Sequence, residues 1–257
     1  MPLHDFQLAL GRMIRENKSG IDPQAWLPEL NLHRSERQQL QALKDSAGMR
    51  FAIEVQRSWC EGRARNSAYL ALSNLPREEQ QELVDQWVDC GGGTSSFFVN
   101  EAEDFLEFIA DHLPLQSHSM SICRMQQAIH RAEAGTDVLS AVQICTLALD
   151  ATLYRSRSAS LVYFFAEPDE IFTALERGDP MPPIGDEYIP LLFAPGIPNL
   201  FEVVNELELA IWDRLAHPAA MNELLDEGHH AGALGRLLLT GACAVKSVPV
   251  DLFALKD

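Results

Sequence analysis

Residues 206–246 read ELELAIWDRLAHPAAMNELLDEGHHAGALGRLLLTGACAVK. The apolar spacing predicts a helix over Glu206–Leu215, a second over Ala219–Leu225 and, past a polar turn at Gly228, a third over His230–Leu239. Gly241 then precedes a short strand, Ala242–Val245. Three short helices followed by a strand is the order of a winged-helix unit. Its charge is wrong for nucleic acid, because a groove-reading third helix presents Arg and Lys to phosphates. Here that helix offers only Arg236. Across the segment Glu206, Glu208, Asp213, Glu223, Asp226 and Glu227 stand against Arg214, Arg236 and Lys246. The unit therefore reads as a scaffold put to another use, and peptide recognition is the use expected.

The rest of the chain points the same way. At 257 residues it suits one large domain or two modest ones. Twenty basic against 37 acidic side chains give a net charge of −17, a field that repels nucleic acid and anionic membranes. The opening Met1-Pro2-Leu3-His4-Asp5 lacks the basic and apolar regions of a signal peptide, and no apolar run approaches the roughly 18 residues of a membrane helix. Five cysteines (Cys60, Cys90, Cys123, Cys145, Cys243) are odd in number and dispersed, without a Cys-x-x-Cys pair. Reduced thiols in the cytoplasm are expected.

The expected fold class is α+β. An all-helical bundle over 1–136 of five to seven helices precedes a small α/β, winged-helix-like, precursor-recognition-like domain over 137–257 with a short antiparallel sheet. In the bundle, Phe6, Leu10 and Ile14 mark one stripe, Phe51, Val55 and Trp59 another, and Leu83 and Trp87 a third behind Pro76. Ala102, Phe105, Ile109 and Leu113 face inward on a helix whose expected cap is Asn100 with Glu103. A further helix runs from about Ser119 to Ala134 and stops at Gly135. Residues 138–154 are apolar without a decisive period. Ser160–Phe165, Tyr188–Phe193 and Phe201–Val204 are β-branched and aromatic, hence strands, and a short helix from Pro168 ends at Gly178.

Motifs for chemistry are missing. Asp226-Glu227-Gly228-His229-His230 sits where a helix–turn–helix needs a polar turn, and His118 with Cys123 has no third ligand at helical spacing. Gly91-Gly92-Gly93-Thr94-Ser95-Ser96 lacks the Lys of a phosphate loop and follows a helix, which makes it a C-cap and turn. No Gly-x-Ser-x-Gly marks a nucleophile. No catalytic residue and no metal ligand is assigned. Arginines do cluster locally: Arg50, Arg57, Arg63 and Arg65; Arg124 and Arg131; Arg155 and Arg157. They either pair with the chain's own carboxylates or meet an acidic partner. Leu161–Phe165 is either an interior strand or an edge strand open to an added peptide strand.

The runs Gly48-Met49-Arg50-Phe51 with Val55-Gln56-Arg57-Ser58-Trp59-Cys60, Gly91–Phe98, and Ser117-His118 with Cys123-Arg124 resemble one kind of accessory subunit. Leu161–Phe165, Tyr188–Leu192 and Pro198-Asn199-Leu200 extend the likeness over most of the chain. It is similar to the partner proteins of multinuclear non-heme iron oxidative enzymes, which modify cysteines in ribosomal precursor peptides. The known types serve the 3-thiaglutamate and methanobactin pathways, and the chain length favours the former. The likeness is one of texture and order, without a catalytic motif.

The resemblance implies a non-catalytic subunit. It would form a heterodimer with a barrel-fold enzyme that carries the iron, bind no cofactor itself, and grip the leader of the precursor peptide by strand addition. The chemistry implied is excision of the β-carbon of a C-terminal cysteine, or, in the methanobactin type, formation of an oxazolone and thioamide. On this reading Leu161, Tyr163 and Phe165 lie in the leader-binding strand and Arg155 and Arg157 pair with leader carboxylates. Arg57, Trp59, Thr94, Phe97, His118 and Arg124 meet the catalytic subunit. Two other classes stay open: a winged-helix transcription regulator, and a stand-alone enzyme such as a small hydrolase with a dispersed site.

Overall fold

The computed structural model describes residues 3–16, 26–93, 98–136, 138–226 and 231–245. The architecture is α+β, helical at the N-terminus with strands toward the C-terminus. The chain divides into two units, Met1–Leu113 and Pro114–Asp257. Among the described residues no helix is long and apolar enough to cross a membrane.

The first unit contains α1 (Leu3–Glu16), α2 (Arg34–Lys44), α3 (Ala47–Ser67), α4 (Tyr69–Ser73), α5 (Arg77–Asp89) and α6 (Phe98–Asp111). On α1, Ala9 and Met13 are buried, and Phe6, Leu10 and Ile14 pack against the same cluster with Trp26, Leu27, Leu40 and Met49. That is the expected stripe. On α3 the expectation fails: Phe51, Val55 and Trp59 are 68%, 39% and 65% exposed. The buried face of α3 is instead Met49, Cys60, Ala64 and Ser67.

Small residues explain the choice. They let α3 approach the turn after α5, where the Cys60 thiol lies 3.2 Å from the Gly93 carbonyl. A Cβ on Gly93, whose φ is +77°, would fall 2.6 Å from Cys60 Cβ. The glycine run thus closes α5 as a turn, with Gly92 N–H donating to the Trp87 carbonyl at 2.9 Å. Helix α6 begins at Phe98, so Asn100 lies inside it and is not its cap.

The second unit begins with α7 (His118–Ala134), then α8 (Ala141–Cys145), β1 (Thr152–Arg155), β2 (Ser160–Phe164), α9 (Pro168–Arg177), β3 (Ile189–Phe193) and β4 (Phe201–Val203). It ends with α10 (Glu206–Arg214), β5 (Ala219–Ala220), α11 (Met221–Asp226), α12 (Ala231–Leu239) and β6 (Cys243–Val245). The division precedes α7, whereas the sequence placed it near residue 136. Helix α7 packs along β2 and β3 and so belongs with the sheet. Gly135 after it is needed for close approach: a Cβ there would meet Ser158 Cβ at 2.3 Å.

Two three-stranded antiparallel sheets replace the single expected one, in the orders β2-β3-β4 and β5-β1-β6. The second belongs to the winged-helix-like unit. Its middle strand is β1, from the apolar run the sequence left unassigned, paired Leu153 to Val245 and Leu153 to Ala219. Ala219 and Ala220, expected to open a helix, follow Pro218 and join this ladder instead. Leu153, Leu192, Ile211, Trp212, Leu224, Leu234, Leu237 and Cys243 share one core, which ties β3 to the three helices.

Burial pushes the Cys243 thiol from its ordinary 9.0 up to about 12, with Arg155 opposing. Below pH 9.0 the thiol is protonated in folded and unfolded chains alike, and its contribution to stability is fully present. Above that, only the unfolded chain releases the proton, so stability falls by about 1.4 kcal/mol per pH unit until the folded thiol also titrates. Denaturant midpoints followed upward from pH 9.0 are expected to decline less steeply for Cys243→Ala than for the unsubstituted protein. Parallel declines would show that the thiol is not shielded.

Candidate functional site

Strand β2 ends its sheet, paired with β3 on one side alone. Register and alternation identify its outward groups. Val204 N–H donates to the Pro190 carbonyl and Ala194 N–H to the Leu200 carbonyl, so Pro190, Leu192 and Ala194 bond toward β4. Ile189, Leu191 and Phe193 therefore bond toward β2, through Phe164, Val162 and Ser160. Leu161 and Tyr163 are left with their N–H and C=O groups directed at the free edge. Pro190 fits the scheme: it stands opposite Tyr163, where the ladder needs no donor. Side chains alternate accordingly. Val162 and Phe164 are buried, Leu161 is half-buried and Tyr163 is 38% exposed.

A groove of about 290 Å³ runs between this edge and one stripe of α7. Met120, Ser121, Arg124, Gln127 and Arg131 form the helical wall, and Ser160–Tyr163 with Phe165 the other. Leu115 lies at its margin, 82% exposed. The Ser121 hydroxyl crosses the groove and donates to the Tyr163 carbonyl at 2.7 Å. Gly185 N–H donates to the Phe165 carbonyl at 2.6 Å. Among the described residues no partner bonds the N–H or C=O of Leu161 or the N–H of Tyr163. These three groups form a short template for an added strand.

The Tyr163 ring meets Tyr188 edge-on at 4.8 Å. Burial raises its phenol, Asp213 and Tyr188 add to the rise, and Arg155 opposes it. Arg155 itself is committed to α10. Its Nε donates to the Trp212 carbonyl at 2.7 Å, its guanidinium lies 4.8 Å from the Trp212 ring, and Asp213 is 3.6 Å away. Arg157 is exposed in the turn between β1 and β2, outside the groove lining, and makes no hydrogen bond or ion pair with the described residues.

The residues expected to face a catalytic subunit fall in both units. Arg57 holds Glu61 at 2.7 Å, Asp89 at 2.5 Å and Asp85. Burial works against its charge, yet the hydrogen bonds to Asp89 and Asp85 outweigh it and raise its pKa. Arg57 is thus a brace between α3 and α5. Trp59, two residues farther along α3, is exposed. Thr94 and Phe97 lie outside the described residues. His118 is buried, its Nε2 2.8 Å from the Pro182 carbonyl and its Nδ1 without a partner among the described residues. It fastens the loop after α9 rather than meeting solvent.

Arg124 does not stand apart with these; it lines the groove beside Leu161, Tyr163 and Phe165. Sequence reasoning missed Met120, Ser121, Gln127 and Arg131 as groove residues. Their helical spacing was visible, but not that this face turns to a strand edge. Among the described residues no three His, Cys, Asp or Glu side chains gather as a metal site.

The chain matches no protein-family model, and no curated protein is similar to it.

Proposed function

We propose that this chain is a non-catalytic, cytoplasmic subunit that holds an extended stretch of a ribosomal precursor peptide and presents the peptide's cysteine to a multinuclear non-heme iron enzyme. The observation that carries the peptide-holding half is the open edge of β2. Leu161 and Tyr163 turn unpartnered backbone groups into a groove with apolar and cationic walls. Main-chain bonding there gives affinity that tolerates varied sequences, while the walls select side chains.

The iron-enzyme half rests on the resemblance stated above and on one surface of the first unit. Phe51, Val55 and Trp59 form an exposed apolar stripe along α3, of the kind a partner subunit covers. Excision of the β-carbon of a C-terminal cysteine is the reaction this partnership would serve. The contribution of the chain itself is positioning, through a raised effective concentration of the cysteine at the iron. DNA reading is disfavoured because Arg236, the lone cation of α12, is ion-paired with Glu208 and Glu202.

The test is co-expression with a barrel-fold multinuclear iron enzyme of the same genome and a short cysteine-ending peptide. Complex formation, iron content and peptide mass are the readouts. The expected result is a heterodimer with iron in the enzyme and a mass change in the peptide only when both chains are present. An isolated chain that binds stoichiometric iron and modifies the peptide alone would overturn the reading.

A further inference from the structure

We propose that α3 pairs antiparallel with α3 of a second copy of this chain, about a twofold axis that passes between the two Val55 side chains. The exposed stripe of α3 is symmetric in spacing about that residue. Aromatic rings stand four residues to either side, at Phe51 and Trp59, and glycines seven residues to either side, at Gly48 and Gly62. At about 100° per residue, all five fall within about 40° of Val55 on the helix surface. The buried Met49, Cys60 and Ala64 lie on the opposite face. Reversing the helix exchanges Phe51 with Trp59 and Gly48 with Gly62, and returns Val55 to itself. That is the condition for an isologous contact, in which one patch meets its own copy.

The shapes match as well as the order. Gly48, Phe51, Ala52 and Val55 outline one hole on the helix surface, and Val55, Ser58, Trp59 and Gly62 outline another. The axis brings the second copy's Trp59 onto the first hole and its Phe51 onto the second. Each ring therefore meets small residues, and neither hole contains a charge. Packing within the chain does not require these glycines. A Cβ at Gly62 would meet nothing within 4 Å, and one at Gly48 only Ser46 Oγ at 4.0 Å. Glycine inside a helix weakens it relative to alanine, and a ring seated against bare backbone gives Gly62 a reason.

The size of the contact sets its strength. Phe51 and Trp59 are about two-thirds exposed. An aromatic side chain buries about 150–250 Å² in full, so four rings remove roughly 400–650 Å². With Val55 and the small residues the contact reaches the lower end of specific interfaces, which makes the dimer reversible, with a Kd on the order of 10 μM. Each copy carries a net charge of −17, which opposes association. Salt screens that repulsion, so the dimer should tighten as salt rises. The inference goes beyond the enzyme partnership, since it needs this chain alone. An enzyme that takes the same stripe must displace the second copy.

Sedimentation velocity of the full chain across the micromolar range is expected to show a monomer–dimer equilibrium that salt strengthens. Val55→Glu sets two carboxylates against each other on the axis and should weaken it at least about hundredfold. Gly62→Gln fills a hole with a better helix former. It should raise the unfolding midpoint and yet weaken the dimer about tenfold, opposite signs that a role in the monomer alone would not produce. Cys90 and Cys145 are exposed thiols, so crosslinking is read in a Cys90→Ser/Cys145→Ser background. There Val55→Cys should give a disulfide-linked dimer on oxidation, and Arg50→Cys, exposed but off the stripe, should not.

A chain that stays monomeric throughout, or a dimer that a folded Val55→Glu leaves intact, would overturn the proposal. Equal crosslinking from positions 50 and 55 would do the same, and it decides the matter if Val55→Glu does not fold. A monomeric chain that still binds the iron enzyme through α3 would sink the homodimer and leave the enzyme reading standing. A homodimer that ignores the enzyme would do the reverse.

Discussion

Arg236→Met is expected to destabilise the second unit by about 3 kcal/mol, read as a lower midpoint of chemical or thermal unfolding. Glu208, on α10, is 1% exposed. One oxygen accepts from Asn205 N–H at 3.1 Å and from Arg236 Nη2 at 2.8 Å, and the other lies 2.5 Å from Arg236 Nε. Asn205 in return accepts from Glu208 N–H at 3.0 Å, which closes a capping box. Arg236 also reaches Glu202 of β4 at 3.3 Å, so one guanidinium joins α12, α10 and the sheet.

Methionine keeps much of the stem but leaves a buried carboxylate without its cation. Breaking one side of a buried pair costs about 3–5 kcal/mol, and the partial exposure of Arg236 places the effect at the lower end. Arg236→Lys should recover part of the loss, since an ammonium cannot form the fork. Adding Glu208→Gln to Arg236→Met should recover more, because the uncompensated charge is then gone. A midpoint unmoved by Arg236→Met would show that Glu208 is stabilised by its cap alone.

Tyr163→Pro is expected to reduce peptide binding at least about tenfold while leaving the sheet intact. The Tyr163 N–H points to the free edge, and Pro190 opposite already shows that the ladder needs no donor at this level. Proline therefore deletes a bond to the ligand and none to β3. Tyr163→Val separates the side chain from the backbone, since it removes the ring and keeps the N–H. Val162→Pro is the contrasting change: its N–H bonds toward Leu191, and its loss should cost about 3 kcal/mol of stability. A folded Tyr163→Pro protein with unchanged affinity would exclude strand addition at β2.

Strands β2, β3 and β4 were legible because β-branched and aromatic residues sit between clear turn signals. Strand β1 was not. Thr152–Arg155 closes an apolar run too short and too even for its period to separate helix from strand. The winged-helix-like segment was legible in its three helices, but the residues that complete its sheet come from ahead of it.

On α3, two stripes share the same four-residue spacing, and the sequence favoured the aromatic one. Packing chose Cys60 and Ala64, since only small side chains admit the glycine turn. For the groove, strand alternation set Leu161, Tyr163 and Phe165 apart from Ser160, Val162 and Phe164 without saying which set turns outward. Arg131 and Ser121 were not assigned to it because their proximity to β2 is a long-range contact that no local pattern encodes. Pro190 was the one available hint that its strand has a side where no donor is missed.

The central place of β1 governs how the second unit can be made. Leu153 pairs with Val245, about ninety residues later, and such distant closure slows folding relative to local contacts. On the ribosome β1 emerges long before either neighbour and must wait with both edges bare. Until β6 arrives it is open to mispairing with other nascent chains. A fragment starting at Glu206 inverts the problem, because it carries β5 and β6 with nothing to lie between them. Demand for a chaperone during synthesis should therefore fall on the interval between β1 and β6, and circular permutation that brings β1 next to β6 should relieve it.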